Sequence, residues 1–302
     1  MKRYILGFIL LVSMGLWSCG GGRTAQPAEG TQPAVDSAGA YIENKGSDTM
    51  VNLALAWAEQ YQSENPAIRI SVTGGGSGTG ITALKTNTVD IANASRQIKA
   101  EELAEISAQG AEAVEFVVAR DAIAVIVNPS NPINRLTLQQ VSDIYTGRIN
   151  NWSELGGEDR PIVRTSRETN SGTHVFFLEE VVRLGSKEDK TIFAADTLLL
   201  PSSEGIIAEV RDNPNAIGYD GLGYITPDVK VIALADGSEA DYIIPSVETV
   251  VDGSYPIARD LYVYTRGQPQ GEVKRYIDWI LSAEAQQIVS SLGFVPVLPV
   301  EE

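Results

Sequence analysis

Four short segments of the sequence place small hydroxyl residues and glycines where a predicted strand ends and a predicted helix begins. These segments are 46–49, 74–80, 93–96 and 166–173. The first N–H groups of a helix have no partner within the helix and the helix dipole is positive there, so an anion can accept hydrogen bonds from them. Glycine leaves room for such a ligand, and hydroxyls add donors without adding charge. The pattern therefore favours a site for a small oxyanion.

Arg167, in the fourth segment, supplies a cation suited to this chemistry. The planar guanidinium donates hydrogen bonds in a fixed fork that matches two oxygens of an oxyanion. Each segment alone is also typical of proteins without a ligand there, because Ser47 or Asp48 fits a helix cap and a glycine run fits an ordinary loop. The agreement of the four segments in residue type is what favours a common site.

The elements that would position these segments alternate between strands and helices. We predict helices at 51–63, 138–145, 173–184 and 272–292, and strands at 68–73, 90–94, 114–118, 122–127, 161–165 and 261–264. Polar breaks rich in proline or glycine at 128–132 and 250–255 indicate two hinge crossings between lobes. The sequence thus predicts an α/β fold of two lobes, each a mixed sheet flanked by helices. Lobe I would comprise 41–127 plus 253–302, and lobe II 128–252.

The N-terminus is typical of an export signal. Two basic residues precede an apolar run that is shorter than the about 20 residues of a membrane-spanning helix. The stretch 16–19, Leu-Trp-Ser-Cys, resembles the lipobox of bacterial lipoproteins, apart from the large Trp17, and this resemblance implies that Cys19 is lipidated. We therefore expect a signal peptide at 1–18, followed by the lipidated cysteine and a flexible linker at 19–40, which is poor in large apolar side chains.

The composition excludes several partners. The 302 residues include 23 basic and 39 acidic ones, a formal charge of −16, and loss of the two basic residues of the signal would leave 21 against 39, or −18. Nucleic acid is therefore not expected as a partner. An anion would have to be held by converging donors inside a closed site. Because Cys19 is the only cysteine, no intrachain disulfide can form.

Catalysis is a weaker interpretation of the same residues. The single histidine, His174, follows Ser171 by three residues, but no nucleophile elbow and no acidic third member of a triad accompany the pair. The pattern G-x-G-x-x-A at 78–83 fits a dinucleotide-binding turn, yet an exported chain has little access to such cofactors, and the glycine run lacks the Lys-Ser/Thr ending of a P-loop. We expect no catalytic residue, no metal, no cofactor and no enzymatic activity.

Seven motifs together carry a resemblance to one family. They are GSDTM, GGGSGTG, DIANASRQI, VIVNPSNP, NWSELGG, SRETNSGTHVFF and AIGYDGLGY. In order and over the chain from about residue 41 to the C-terminus, these segments resemble the phosphate-binding protein of bacterial ABC phosphate importers. The resemblance implies a type II periplasmic-binding fold, in which phosphate lies between two lobes and is held by backbone amides, hydroxyls and an arginine.

Carried over residue by residue, the resemblance implies phosphate contacts from both lobes. The implied contacts are Ser47, Thr49, Ser77, Gly78 and Ser95 from the first lobe, and Arg167, Ser171, Gly172 and Thr173 from the second. One position departs from the family, because Arg96 stands where long-chain members carry an aspartate that accepts the proton of phosphate. Asp48 is a candidate replacement, with a helix cap as the alternative. Arg96 either adds a second cation to the site or pairs with a surface carboxylate.

The expected function follows from the export signal and the resemblance together. We expect a monomeric, extracytoplasmic lipoprotein, in the cell membrane or the periplasm, that binds inorganic phosphate and delivers it to the membrane permease of an ABC importer. Two alternatives stay open. The chain could be a sensor subunit that reports phosphate without transporting it, or a binder of another oxyanion such as sulfate or molybdate.

Overall fold

The computed structural model of the protein describes residues 39–237 and 241–298. The strands are β1 (Tyr41–Gly46), β2 (Arg69–Thr73), β3 (Ile91–Ala94), β4 (Ala113–Val127), β5 (Arg135–Thr137), β6 (Val163–Arg167), β7 (Leu198–Leu200), β8 (Ala216–Gly221), β9 (Lys230–Val231), β10 (Ala233–Ala235) and β11 (Ala258–Arg266). The helices are α1 (Val51–Glu64), α2 (Ser77–Lys85), α3 (Ala100–Ser107), α4 (Leu138–Tyr145), α5 (Gly172–Phe177), α6 (Ser203–Asp212), α7 (Val247–Val251), α8 (Gly271–Ile280) and α9 (Ala283–Ser291). The signal peptide, Cys19 and nearly all of the linker predicted at 19–40 lie outside the described residues.

Nine of the strands form one mixed sheet, within the part of the chain that the structure describes. Their order is β2-β1-β3-β11-β4-β8-β6-β7, with β9 paired to one end of β4. Strand β1 is parallel to β2 and β3, and β6 is parallel to β7 and β8, whereas β11 and β4 run antiparallel to their neighbours. Parallel strands end at one edge of a sheet, so the turns that follow β1, β2 and β3 meet there.

Strand β4 joins two halves of this sheet. Its residues 113–122 pair with β11, and its residues 123–127 pair with β8. We call β2, β1, β3, β11 and the first part of β4 the first half-sheet, and the second part of β4 with β8, β6 and β7 the second half-sheet. The strands predicted at 114–118 and 122–127 are thus one continuous strand, which is partly exposed where it pairs with β11 and fully buried where it pairs with β8. The lobe boundaries themselves stay a prediction.

Each half-sheet packs against its own apolar core. In the first half, α1 and α9 cover the sheet, and Trp57 donates its indole N–H to the carbonyl of Ala285 at 3.0 Å. In the second half, the aromatic rings of Tyr145 from α4, Phe177 from α5 and Tyr219 from β8 pack against one another. These cores fix the helices relative to the strands and hence hold the strand-to-helix turns in place.

Two predicted helices differ in the structure. The helix predicted at 272–292 is two helices, α8 and α9, because Ser282 ends the first by donating its N–H to the Trp279 carbonyl and caps the second with its hydroxyl, which accepts from the Ala285 N–H. The helix predicted at 173–184 begins as α5 and continues as a wider π-helical turn, Leu178–Val182. Among the described residues, no helix is long and apolar enough to span a membrane.

Candidate functional site

The four predicted segments meet at the junction of the two half-sheets. Ser47 Oγ donates to Ser95 Oγ at 2.9 Å, and Ser77 Oγ lies 3.3 Å from Ser95 Oγ. Thr49 Oγ1 lies 2.8 Å from Thr173 Oγ1, although 124 residues separate the two along the chain. We call the six buried residues Ser47, Thr49, Ser77, Ser95, Ser171 and Thr173 the hydroxyl cluster. Hydroxyls that converge in this way can donate several hydrogen bonds to one small ligand.

Helix starts surround the hydroxyl cluster. Helix α2 begins at Ser77, directly after the glycines that follow β2, and α5 begins at Gly172, soon after β6 ends. Ser171 caps α5, since its Oγ accepts from the N–H groups of Thr173 at 3.2 Å and His174 at 3.4 Å. These starts bring backbone donors and the positive ends of helix dipoles to the cluster.

Gly172 marks the closest approach between the two half-sheets. A Cβ at this position would lie 2.3 Å from Ser77 Oγ and 2.6 Å from Ser95 Oγ, which is far inside van der Waals contact. A larger residue at this position would therefore require the two serine hydroxyls or the two half-sheets to move. Gly78, another predicted contact, donates its backbone N–H across the junction to the carbonyl of Asn170 at 3.0 Å. That N–H is engaged between the half-sheets in this arrangement.

Arg167, which is buried, and Asp48, which is partly buried, form an ion pair across the same junction. Arg167 Nη2 donates to Asp48 Oδ2 at 2.8 Å, and the arginine side chain is 1 % exposed. Asp48 Oδ1 accepts from the N–H of Gly75 at 2.8 Å. Both partners of Asp48 lie outside the helix that follows it, so the carboxylate joins separate segments instead of acting as the cap considered above.

A second carboxylate, which sequence reasoning missed, supports Arg167 from the opposite side. Arg167 Nη1 donates to Ser203 Oγ at 3.0 Å, and Ser203 Oγ donates to Asp220 Oδ1 at 3.0 Å. Asp220 is fully buried, and this burial raises its pKa to about 6, against the lowering effect of Arg167. An acidic residue inside the otherwise apolar strand β8 was the available signal.

Arg259 is a second guanidinium at the hydroxyl cluster, and sequence reasoning missed it as well. Its Nη2 donates to Thr173 Oγ1 at 3.0 Å and to Thr49 Oγ1 at 3.4 Å. Nη2 also pairs with Asp121 Oδ2 at 2.9 Å, and Asp121 is fully buried. The signal was again a charged residue in a strand whose other inward residues are apolar.

Arg96 pairs with a carboxylate, which is the second of the two roles left open for it. Nη1 and Nη2 donate to the two carboxylate oxygens of Glu102, both at 2.8 Å. Arg96 also lines a cleft of about 640 Å³ beside the hydroxyl cluster, together with Lys45, Lys99 and Gly78. A basic lining therefore borders the junction in a protein whose overall charge is acidic.

His174 makes contacts that differ from those of a catalytic base. Its Nδ1 lies 3.0 Å from Ser166 Oγ and 2.9 Å from the carbonyl oxygen of Arg167, and burial lowers its pKa. Ser171, the nucleophile that a hydrolase would need, instead uses its hydroxyl as a helix cap. Within the described ranges, no three His, Cys, Asp or Glu side chains are grouped to hold a metal ion.

A mixed sheet in two halves, whose strand ends meet at a buried cluster of hydroxyls, helix starts and arginines, defines a two-lobed solute-binding protein. A family model described as a PBP superfamily domain matches residues 27–284. The chain belongs to this superfamily and, within it, to the PstS-like phosphate-binding proteins. The predicted family and the predicted two-lobed, type II α/β fold are confirmed.

Named relatives agree along nearly the whole chain. The phosphate-binding protein PstS of Bacillus subtilis is 32% identical, over 98% of this chain and 95% of its own. PstS of Pseudomonas aeruginosa is 29% identical over the same shares. A substrate-binding protein of phosphate ABC transporter type from Clostridium perfringens, crystallised with bound phosphate, is 34% identical with a TM-score of 0.75, covering 85% of this chain and 100% of its own. An ABC-type phosphate transport receptor from Vibrio cholerae is 28% identical with a TM-score of 0.67, over the same shares.

Proposed function

We propose that the protein binds inorganic phosphate at the hydroxyl cluster and delivers it to an ABC importer. The observation that carries the proposal is the convergence of hydroxyls from both half-sheets, with Thr49 Oγ1 and Thr173 Oγ1 at 2.8 Å. The names of the relatives support the ligand, since they describe phosphate-binding and phosphate-transport proteins rather than enzymes. No enzymatic activity is proposed.

In the proposed complex, donors from both half-sheets surround the anion. The contacts would come from Ser47, Thr49, Ser77, Gly78 and Ser95 on one side, and from Arg167, Ser171, Gly172 and Thr173 on the other. Hydroxyl, amide and guanidinium groups all donate hydrogen bonds to phosphate oxygens, and the Gly78 N–H would have to leave the Asn170 carbonyl to do so. An anion that bridges the two sides binds the closed arrangement better than an open one, and this difference in affinity would drive closure.

Direct contacts also join the two sides beside the proposed site. Asn170 Nδ2 donates to the carbonyl of Gly75 at 2.9 Å, and Tyr224 Oη donates to the carbonyl of Asp48 at 2.7 Å. Together with the ion pair of Arg167 and Asp48, they can hold the closed form around its ligand. A closed form of fixed shape is what a membrane permease would recognise.

Asp48 is our candidate for the carboxylate that selects phosphate over sulfate. Phosphate keeps a proton near neutral pH, whereas sulfate has none to donate, so an acceptor-only carboxylate favours phosphate. Asp48 lies beside Thr49 and pairs with Arg167, and these two neighbours support the proposal that it borders the site. Its two oxygens can each accept one further hydrogen bond beside those from Gly75 and Arg167.

We further propose that the protein is exported, cleaved before Cys19 and anchored by lipid at that residue as a monomer. The basic and apolar N-terminus, the lipobox resemblance and the extracytoplasmic role of solute-binding proteins support this location. Mass spectrometry of the membrane fraction should find a lipidated N-terminal peptide that begins at Cys19. A peptide that still contains Met1, or an unmodified Cys19, would contradict the anchor.

Calorimetry tests the ligand directly. The purified protein is titrated with phosphate, sulfate and molybdate at about pH 6 and about pH 8, and phosphate alone should bind tightly. Arg167→Ala should abolish binding, because it removes the cation proposed to contact the anion and leaves Asp48 without its ion-pair partner. Arg211→Ala, which removes an exposed arginine paired with Asp212, is the control and should leave binding unchanged. Strong sulfate or molybdate binding would overturn the phosphate assignment.

Uptake distinguishes a transport subunit from a sensor. Deletion of the gene that encodes this protein should reduce phosphate uptake from dilute medium, and expression of the unchanged protein should restore it. Normal uptake with altered phosphate-dependent gene expression would indicate the sensor role instead.

A further inference from the structure

We propose that Arg259 is a positioning residue that orients the paired hydroxyls of Thr49 and Thr173 so that the pair donates a hydrogen bond to the bound anion. This inference rests on the proposed function. Arg259 lies in β11, the strand between β3 and β4, and its side chain is 3 % exposed. From this strand, its guanidinium contacts Thr49 and Thr173 of the hydroxyl cluster.

The hydrogen-bond geometry limits what the two threonines can do. Arg259 Nη2 has two hydrogens, and one of them is donated to Asp121 Oδ2. The other is shared between Thr173 Oγ1 at 3.0 Å and Thr49 Oγ1 at 3.4 Å, so both hydroxyls accept from the guanidinium. The two oxygens are 2.8 Å apart, so one hydroxyl can donate its single hydrogen to the other. One hydrogen then remains and must point to a further acceptor. Because the hydroxyl oxygens of Thr49 and Thr173 already accept from Arg259, the remaining hydroxyl hydrogen is free to point into the site, where an oxyanion can accept it.

Asp121 fixes Arg259 and balances its charge. Asp121 Oδ2 accepts from Arg259 Nη2 at 2.9 Å, and Asp121 Oδ1 accepts from the N–H of Leu222 at 3.0 Å. Gly221 makes room for the carboxylate, since a Cβ there would lie 2.6 Å from Asp121 Oδ2. The buried pair can therefore supply oriented donors at the cluster without adding a net charge.

Arg259 also connects the cluster to the backbone of the first half-sheet. Its Nη1 donates to the carbonyl of Ser95 at 2.9 Å. One guanidinium thus contacts Ser95 and Thr49 from the first half-sheet and Thr173 from the second. These contacts span both half-sheets, so they point to a role in aligning the hydroxyls of the two sides when the site is closed.

A neutral double variant tests this role while avoiding an unpaired buried charge. Arg259→Gln with Asp121→Asn replaces the ion pair by two neutral amides, of which the asparagine matches aspartate in shape and the glutamine is shorter than arginine. We expect phosphate affinity, measured by calorimetry, to fall by about tenfold or more, because the hydroxyls lose their charged donor. The exposed pair Arg120 and Asp260 occupies the next position along the same two strands, so Arg120→Gln with Asp260→Asn is the matched control and should bind normally.

A double-mutant cycle separates positioning from a structural role. Thr173→Val should weaken phosphate binding in the unchanged protein, but it should cost at least about threefold less in the neutral double variant, where Thr173 is no longer oriented. Purely additive losses, or phosphate affinity of the double variant within about threefold of the unchanged protein, would overturn the inference.

Arg259→Lys keeps the proposal testable if the double variant does not fold. It keeps a charge beside Asp121, but one ammonium cannot replace the fork that reaches Thr49, Thr173 and Ser95, so affinity should again fall by about fivefold or more. Unchanged binding would refute the role of the fork. If the unchanged protein itself fails to bind phosphate, the proposed function fails; if it binds and these variants match it, only this inference fails.

Discussion

Gly172→Ala is the substitution that probes closure of the two half-sheets most directly. The added methyl carbon would lie 2.3 Å from Ser77 Oγ and 2.6 Å from Ser95 Oγ. The first distance is about 1 Å inside an ordinary carbon–oxygen contact. Gly172 begins α5 in the second half-sheet, whereas both serines belong to the first. The clash therefore arises between the two sides and disappears when they separate.

The size of the effect follows from the cost of overpacking. An added methyl group in a tightly packed site typically costs about 1–3 kcal/mol. Since this cost applies only to the closed arrangement, it appears in full in the binding free energy, and phosphate affinity should fall by about 5- to 150-fold. Thermal unfolding without phosphate should shift little, because an open arrangement relieves the overlap.

Calorimetry with phosphate and a thermal melt without it measure the two quantities. Gly205→Ala is the matched control, because it also adds a methyl group near a helix start but meets Ser202 Oγ only at 3.5 Å. Gly78→Ala should be intermediate, since its Cβ would lie 3.2 Å from the Asn170 carbonyl oxygen. Affinity of Gly172→Ala within about threefold of the unchanged protein would show that the two sides do not approach in this way around the ligand.

Three further predictions address single side chains. Asp48→Asn should raise sulfate affinity by about tenfold or more relative to phosphate, because it removes the proton acceptor and leaves the charge of Arg167 less neutralised. Competition calorimetry measures this ratio, and an unaltered ratio would contradict the prediction. Burial raises the pKa of Asp220 to about 6, so the folded state holds its proton more tightly than the unfolded state and stability should fall by roughly 2–3 kcal/mol as pH rises from about 4 to about 6. The free energy of unfolding, measured with urea at about pH 4.5 and about pH 7, should fall less between these pH values in Asp220→Asn than in the unchanged protein. An equal fall in both proteins would exclude Asp220 as its source. Arg96→Gln should lower stability by about 1 kcal/mol through loss of the pair with Glu102 and change phosphate affinity less than twofold or so, whereas a large loss of affinity would place Arg96 in the site.

The hydroxyl cluster was predictable because its signals are local. A strand end, a glycine turn and a helix cap each depend on a few neighbouring residues, and the four segments show them plainly. What those signals could not show was their mutual distance. Thr49 and Thr173 meet only because the fold brings the ends of β1 and β6 to one junction.

The residues that sequence reasoning missed owe their positions to strand pairing. Arg259 and Asp121 are partners in the register of β11 and β4, although 138 residues separate them. Asp220 reaches Arg167 through Ser203, which starts a different element. A charged residue inside an apolar strand predicts a buried partner, but it does not say which one.

The fold class was predicted correctly, whereas the bounds of two elements, strand β4 and the C-terminal helix, were predicted wrongly. Alternating strands and helices indicate an α/β protein wherever they occur along the chain. Strand β4 was predicted as two strands because Arg120 and Asp121 interrupt its apolar residues, yet the strand continues through them from one half-sheet into the other. The division of the C-terminal helix at Ser282 depends on one serine that fits equally well on an exposed helix face.

The charges buried at the site explain how an acidic protein could hold an oxyanion selectively. Arg167 pairs with Asp48, and Arg259 pairs with Asp121, so each guanidinium brings its own compensating carboxylate. The attraction for an anion must then come mainly from short hydrogen bonds, which depend on how many acceptors the anion offers and on whether it carries a proton. Phosphate and sulfate are both tetrahedral oxyanions, and they differ in that proton. A site that relied on excess positive charge would favour sulfate as readily, whereas a compensated site with a carboxylate at its edge can distinguish them.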